Sequence, residues 1–153
     1  MATVSAGILL YRRKERELRV LLVHFGGPYW QRKDLGAWSI PKGELSAGEA
    51  PEAAARREFA EELGAEATGP LQPLGEIRQR GGKYVKAFAL EGDFDVNNLR
   101  SNRFSLEWPP HSGAVKSFPE IDRAEWFAFP LANEKILASQ RPFLDRLKQI
   151  ANS

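Results

Sequence analysis

The sequence has no cysteine, two histidines and a single methionine. The lack of cysteine rules out a disulfide framework and thiolate metal sites, and it is compatible with the cytosol. No apolar run approaches the length of a membrane span. Met1 leads straight into an alternating segment, not into a basic stretch followed by an apolar core, so no secretory signal is expected. Neither sign of charge predominates. Lys and Arg total 22 against 20 Asp and Glu, a net charge of +2 that is too small to imply nucleic-acid binding by itself. These absences leave a soluble cytoplasmic monomer or homodimer as the expectation.

At 153 residues, with 42% hydrophobic and 27% charged side chains, the composition is that of an ordinary globular chain. One domain covering residues 1–153 is expected. Acidic residues crowd one place, GELSAGEAPEAAARREFAEELGA from Gly43 to Ala65. There Glu58, Glu61 and Glu62 fall within one helical turn, directly after Arg56 and Arg57. Residues three and four apart share a helix face, and like charges at that spacing destabilise an isolated helix by roughly 0.2–0.5 kcal/mol per pair. A hard divalent cation with oxygen ligands makes such crowding tolerable. The alternative is a solvated acidic face on an Ala-rich surface helix.

The local signals support a rigid helix. Pro51 suits a first helical position, and Gly64 suits a left-handed cap. Ala55, Phe59 and Leu63 are spaced to pack inward while the carboxylates look into a cleft. Glu49 and Arg57 are candidates for a pair that orients the carboxylates, and Glu61 lies within reach of Arg57.

Counting from Gly43, five residues precede Glu49, and seven more precede Arg57-Glu58. Phe59, Ala60, Glu61-Glu62, Leu63, Gly64 and Ala65 complete the pattern GX5EX7REUXEEXGU, where U is apolar. On these residues the chain resembles the Nudix hydrolases. The resemblance implies a Nudix α/β/α sandwich with a central mixed β-sheet, covering nearly the whole chain. It implies Mg²⁺, or Mn²⁺, as cofactor, with Gly43, Glu58, Glu61 and Glu62 as ligands. It also implies catalytic parts for Glu61, Glu62 and Arg57. Metal-assisted hydrolysis of this kind needs no Ser, Cys or His nucleophile, which suits the composition.

The rest of the chain reads as alternating elements. Thr3–Tyr11 and Leu18–Phe25 read as strands joined by a polar turn over Arg12–Glu17. A short strand over Ala37–Ile40 leads to the acidic segment. Leu71–Arg80 and Lys83–Glu91 flank Gly81-Gly82, a two-residue hairpin signal. A further strand is expected over Arg123–Phe129, and an amphipathic helix over Arg141–Ala151. The stretch Asn97–Pro119 reads as an irregular loop on the substrate side.

Outside the acidic segment, Glu120 resembles the glutamate that completes the metal site or serves as base in several Nudix branches. The alternatives are a rim acid paired with Arg123, or Glu107 in that part. Trp38-Ser39-Ile40-Pro41-Lys42-Gly43 resembles the WxxPKG segment of the diadenosine polyphosphate hydrolase branch, so Trp38 and Lys42 are candidate substrate-binding residues. Arg78, Arg80, Lys83 and Lys86 form a basic hairpin that either clamps a polyphosphate or is the polar face of two strands. Arg80 and Tyr84 are candidate substrate contacts there. Tyr29, Trp30 and Trp108 are further candidates for stacking on a base.

The expected activity is Mg²⁺-dependent hydrolysis of a pyrophosphate bond in a nucleoside diphosphate linked to another group. A dinucleoside polyphosphate or nucleoside triphosphate is favoured over a sugar nucleotide. The expected partner is thus a small-molecule nucleotide, with no membrane. A capped or triphosphorylated RNA 5′ end is the one nucleic acid considered, and the small net charge weighs against it. The competing reading is a catalytically silent Nudix-fold module that binds nucleotides or acts as a scaffold.

Overall fold

Apolar side chains on both faces of two consecutive segments start the fold. Val4–Lys14 forms β1 and Glu17–Phe25 forms β2 in a computed structural model that describes residues 3–151. The expected polar turn is shorter than Arg12–Glu17, because both strands run into it. Only Glu15 and Arg16 turn the chain, with φ of 53° and 69°. Glycine or asparagine usually marks such a turn, so the sequence carried no clear sign of its position.

The two strands diverge away from this turn. Tyr11–Lys14 of β1 pairs with β2, whereas Ser5–Gly7 pairs with β4, Lys42–Glu44. Val23 and His24 of β2 pair with β3, Trp38–Ser39. The chain from Trp38 to Glu44 is therefore wedged into the opening between β1 and β2, and it carries Gly43 to the middle of the sheet. Helix α1, Pro51–Leu63, follows directly.

Strands β5, Gln72–Arg78, and β6, Tyr84–Glu91, form an antiparallel pair. Their connection is a turn over Arg80–Gly82 closed by the Gln79 N–H on the Lys83 carbonyl, longer than the two-residue Gly-Gly hairpin expected. β6 then lies parallel to β1. The stretch expected as an irregular loop contains a hairpin, β7, Arg103–Glu107, with β8, Val115–Pro119. Its sequence, RFSLE, has the alternation of a strand, which the length of the segment and Pro109-Pro110 concealed.

β9, Ile121–Ala128, begins two residues earlier than expected and closes the far edge on β2. The short helix α2, Leu131–Lys135, was not anticipated, whereas α3 spans the expected Arg141–Ala151. Among the described residues, seven strands form one mixed sheet, with β1 and β6 as its parallel pair.

Alternation along β1 divides the core. Leu9 and Tyr11 face α2 and α3, where they join Trp38, Phe127, Phe143 and Leu147. Ile8 and Leu10 face α1, where they join Ala55, Phe59 and Leu63. The result is an α/β/α arrangement around a mixed sheet. Among the described residues, no helix is long and apolar enough to cross a membrane.

Candidate active site

The helix with the glutamates is fixed at both ends. Ala50 is extended before Pro51, and Gly64 adopts φ 77° so that its N–H reaches the Ala60 carbonyl at 2.8 Å. Phe59 and Leu63 are buried against β1, each contributing roughly 1.5–3 kcal/mol. This anchoring leaves Glu58, Glu61 and Glu62 on the turn next to β4.

Arg57 holds the acidic groups together. Its Nε and Nη2 donate to both oxygens of Glu49, at 2.9 and 3.0 Å. Nη1 donates to Glu58 at 2.8 Å and to Glu61 at 3.2 Å, and Nη2 also reaches the Glu44 carbonyl at 3.0 Å. A planar fork suits such divided contacts. The Arg57 guanidinium, followed by the Ser46 backbone N–H, holds the Glu49 carboxyl down at about 2. Glu49 in turn, ahead of Glu58 and Glu61, favours the charged form of Arg57.

Glu58 lies against Gly43. A Cβ at residue 43 would stand 2.0 Å from the Glu58 carboxyl carbon, so only glycine leaves room for the carboxylate. Burial raises the Glu58 pKa, opposed by Arg57 and reinforced by Glu61 and Glu120. Glu62 is 6% exposed and accepts the Lys42 backbone N–H at 3.1 Å. Burial pushes its carboxyl up to about 8, and the charges of Glu58 and Glu120 add to the rise. Lys42 is half-buried beside it. Burial lowers the Lys42 pKa, Glu62 opposes the shift, and the charge of Lys83 adds to it.

Glu120 is the residue between β8 and β9, and its charge acts on both Glu58 and Glu62. A chain of backbone hydrogen bonds fixes it relative to the helix. The Asn102 N–H donates to the Glu61 carbonyl at 3.1 Å, and the Glu120 N–H donates to the Asn102 carbonyl at 2.8 Å. On its other side, the Glu120 carbonyl accepts the Gly26 N–H at 2.8 Å. Glu120 also lines a cleft of about 300 Å³, walled by Phe25, Tyr29 and Trp30 on one side and by Phe104 and Leu106 of β7 on the other. Trp108, in the turn of the β7–β8 hairpin, meets Tyr29 edge-on with ring centroids 5.2 Å apart.

Other expected site residues stand elsewhere. Trp38 is 1% exposed, donates its indole N–H to Asp34 and packs on His24 and Phe127, so the structure places it in the core and not in the cleft. Glu107 accepts the His111 N–H at 2.8 Å and so braces the hairpin turn. Lys86 faces Glu76 across β5 and β6 at 4.0 Å. Tyr84 is half-buried at the start of β6, opposite Arg78. The side chain of Arg80 lies outside the described residues.

Sequence reasoning passed over Gly26, His24, Asn102 and Asp122. His24 was legible as the one polar residue in the apolar run of β2. Asn102 acts through its backbone, so its side chain gives no sign of the contact.

The acidic groups gathered here, Glu58, Glu61, Glu62 and Glu120, offer oxygen atoms alone. Among the described residues, no three His, Cys, Asp or Glu side chains converge as ligands, and Arg57 pairs with Glu58 and Glu61. Burial is the main cause of the raised pKa values of Glu58 and Glu62, and the crowding of these carboxylates with Glu61 and Glu120 adds to it. This chemistry fits a hard divalent cation.

A Caenorhabditis elegans Ap4A hydrolase shares the fold at TM-score 0.68 and 20% identity, with 99% of this chain and 98% of that one covered. The NUDIX domain of Shewanella oneidensis NrtR, solved with ADP ribose, shares it at TM-score 0.66 and 15% identity, covering 99% of this chain and 89% of that one. An octanoyltransferase of Myxococcus xanthus is 34% identical over 137 residues, which are 89% of this chain and 33% of that protein. This chain thus spans a third of that relative's length. The NUDIX domain family model matches residues 1–147. Because that match takes in the sheet, the layers on both its faces and the glutamate turn braced by Arg57, this chain belongs to the Nudix family.

Proposed function

We propose that the chain is a metal-dependent pyrophosphohydrolase acting on a nucleoside diphosphate linked to another group. A dinucleoside polyphosphate or a nucleoside triphosphate is the favoured substrate. The observation that carries this reading is the buried Glu62 carboxylate, faced by the charges of Glu58 and Glu120 while Arg57 is engaged by Glu49, Glu58 and Glu61. Glu58, Glu61, Glu62, Glu120 and the Gly43 carbonyl would hold Mg²⁺ or Mn²⁺. When bound, the cation polarises the phosphoryl group, lowers the pKa of a water and offsets charge on the leaving group.

The residues around this centre divide the remaining tasks. Arg57 keeps Glu58 and Glu61 oriented from behind. Lys42, with Lys83 nearby, supplies positive charge for phosphate oxygens on the β4 side. Glu120, whose charge acts on Glu58 and Glu62, serves as the base that takes a proton from water. The aromatic cleft beside Glu120 suits a flat apolar group such as a nucleobase. The neighbours support the substrate class: one is named an Ap4A hydrolase and the other was solved with ADP ribose, and both names point to pyrophosphate compounds of adenosine.

The test is a hydrolysis panel of diadenosine polyphosphates, nucleoside triphosphates, ADP-ribose and a sugar nucleotide, with Mg²⁺, with Mn²⁺ and with a chelator. Metal-dependent release of a nucleotide product that Glu62→Gln abolishes is expected. Nucleotide binding without turnover by the wild-type chain would point instead to a silent module.

A further inference from the structure

We propose that His24 and Asp122 form a clasp that positions Glu120 and the aromatic wall of the cleft, so that both are positioning residues for the reaction. The inference rests on the function proposed above. His24 lies in β2, fully buried, with both ring nitrogens engaged. Nε2 is 2.7 Å from the Lys33 carbonyl, which can only accept, so this nitrogen carries a hydrogen. Nδ1 is 2.7 Å from Asp122 Oδ1.

Asp122 owes this contact to an irregularity in the sheet. The pairing of β2 with β9 runs in step to His24 opposite Arg123, and then Phe25 stands opposite Ile121. Asp122 is thus passed over, as a bulge residue is, and its side chain turns back onto His24. Bulges commonly re-aim a side chain in this way next to functional sites. The bulge lies two residues from Glu120.

His24 therefore holds two segments at once. Through Asp122 it fixes the start of β9 and the corner at Glu120. Through the Lys33 carbonyl it fixes the loop after β2, which carries Tyr29 and Trp30. The Gly26 N–H joins that loop to the Glu120 carbonyl, and a Cβ at Gly26 would stand 1.9 Å from the Pro119 carbonyl oxygen. Stability alone gives little reason for the arrangement, because well-packed apolar residues serve as well as a buried polar pair. A fixed distance between Glu120, the helix glutamates and the cleft wall is what the hydrogen bonds add.

The test uses Asp122, whose side chain is partly exposed, so that folding survives. Asp122→Ala should lower kcat on the order of 10-fold to 100-fold through Glu120 and raise KM severalfold through the cleft wall, as expected for loss of an orienting partner. Asp122→Asn should recover most of the rate, because its side-chain amide offers Nδ1 a donor as well as an acceptor. In a Glu120→Gln background, Asp122→Ala should add less than about twofold, since coupled residues are not additive. Amide hydrogen exchange is read on the same proteins without substrate. Protection of the Gly26 and Glu120 amides should fall in Asp122→Ala while that of Phe59 in α1 holds. Unchanged protection at Gly26 and Glu120, or rate losses that multiply in the double variant, would overturn the proposal. A wild-type chain that hydrolyses nothing in the panel sinks the pyrophosphohydrolase reading instead, and the exchange data tell the two failures apart.

Discussion

The Cα of Gly43 supports the carboxylate of Glu58: a Cβ at residue 43 would lie 2.0 Å from the Glu58 carboxyl carbon and 2.2 Å from Oε2. The glycine that opens the family pattern and Glu58 of the helix are thus one packing unit across β4 and α1. A side chain at residue 43 displaces the Glu58 carboxylate from its observed position.

Gly43→Ala tests that unit. The obstructing group is the end of a flexible side chain, so Glu58 should swing aside at a cost of about 1–2 kcal/mol in stability. Activity should fall further, on the order of 10²-fold or about 3 kcal/mol, because Glu58 leaves the metal side of the helix. Thermal unfolding and steady-state kinetics on one preparation separate the two effects. Full activity in Gly43→Ala would mean that the observed Glu58 position is irrelevant to turnover.

Glu62 predicts a pH dependence of stability. Its carboxyl is raised to about 8 by burial, so the folded chain holds a proton that the unfolded chain has released. From the ordinary glutamate value of about 4.3 up to about 8, stability should therefore fall as pH rises. Glu62→Gln removes the effect. In chelator its Tm should exceed that of the wild type by a margin that grows between pH 5 and pH 8. Mg²⁺ should narrow the gap by favouring the ionised carboxylate. A margin that does not change with pH would contradict a buried ionisable Glu62.

Arg57→Lys keeps the charge and loses the fork. One ammonium cannot serve both oxygens of Glu49 together with Glu58, Glu61 and the Glu44 carbonyl. A fall in kcat of about 10-fold to 100-fold is expected, the usual effect of losing an orienting partner behind metal ligands. The stability change should be small, because the arginine is partly exposed. Wild-type rates in Arg57→Lys would show that charge alone suffices.

Glu120 and Glu107 form a matched comparison. Glu120→Gln should lower kcat on the order of 10²-fold with KM little changed, because a charge facing Glu58 and Glu62 is removed. Glu107→Gln should leave kcat within about twofold, since its remaining oxygen can still accept the His111 N–H. Equal and unimpaired turnover in both variants would assign all catalytic carboxylates to α1.

Local physics made much of this protein legible from its sequence. The spacing of Pro51, Phe59, Leu63 and Gly64 specifies α1 and its inward face, because helix period and caps depend on near neighbours. The same spacing places Glu58, Glu61 and Glu62 on one turn beside Arg57. The terminal helix over Arg141–Ala151 was legible for the same reason. Between β1 and β2, the sequence indicated the strands and left the turn at Glu15-Arg16 undefined, because charged residues took a conformation that glycine usually marks.

Contacts between distant segments were decided only by the tertiary structure. Trp38 belongs to a motif that suggested substrate, yet the wedge between β1 and β2 buries it in the core. Glu120 gains its place from the Asn102 backbone on one side and Gly26 on the other, contacts that no periodicity encodes. The raised pKa of Glu62 arises from burial beneath β4, with the charges of Glu58 and Glu120 added. Neighbours in sequence set the order of the carboxylates along the helix. The electric field on those groups depends on segments that meet only when the sheet closes.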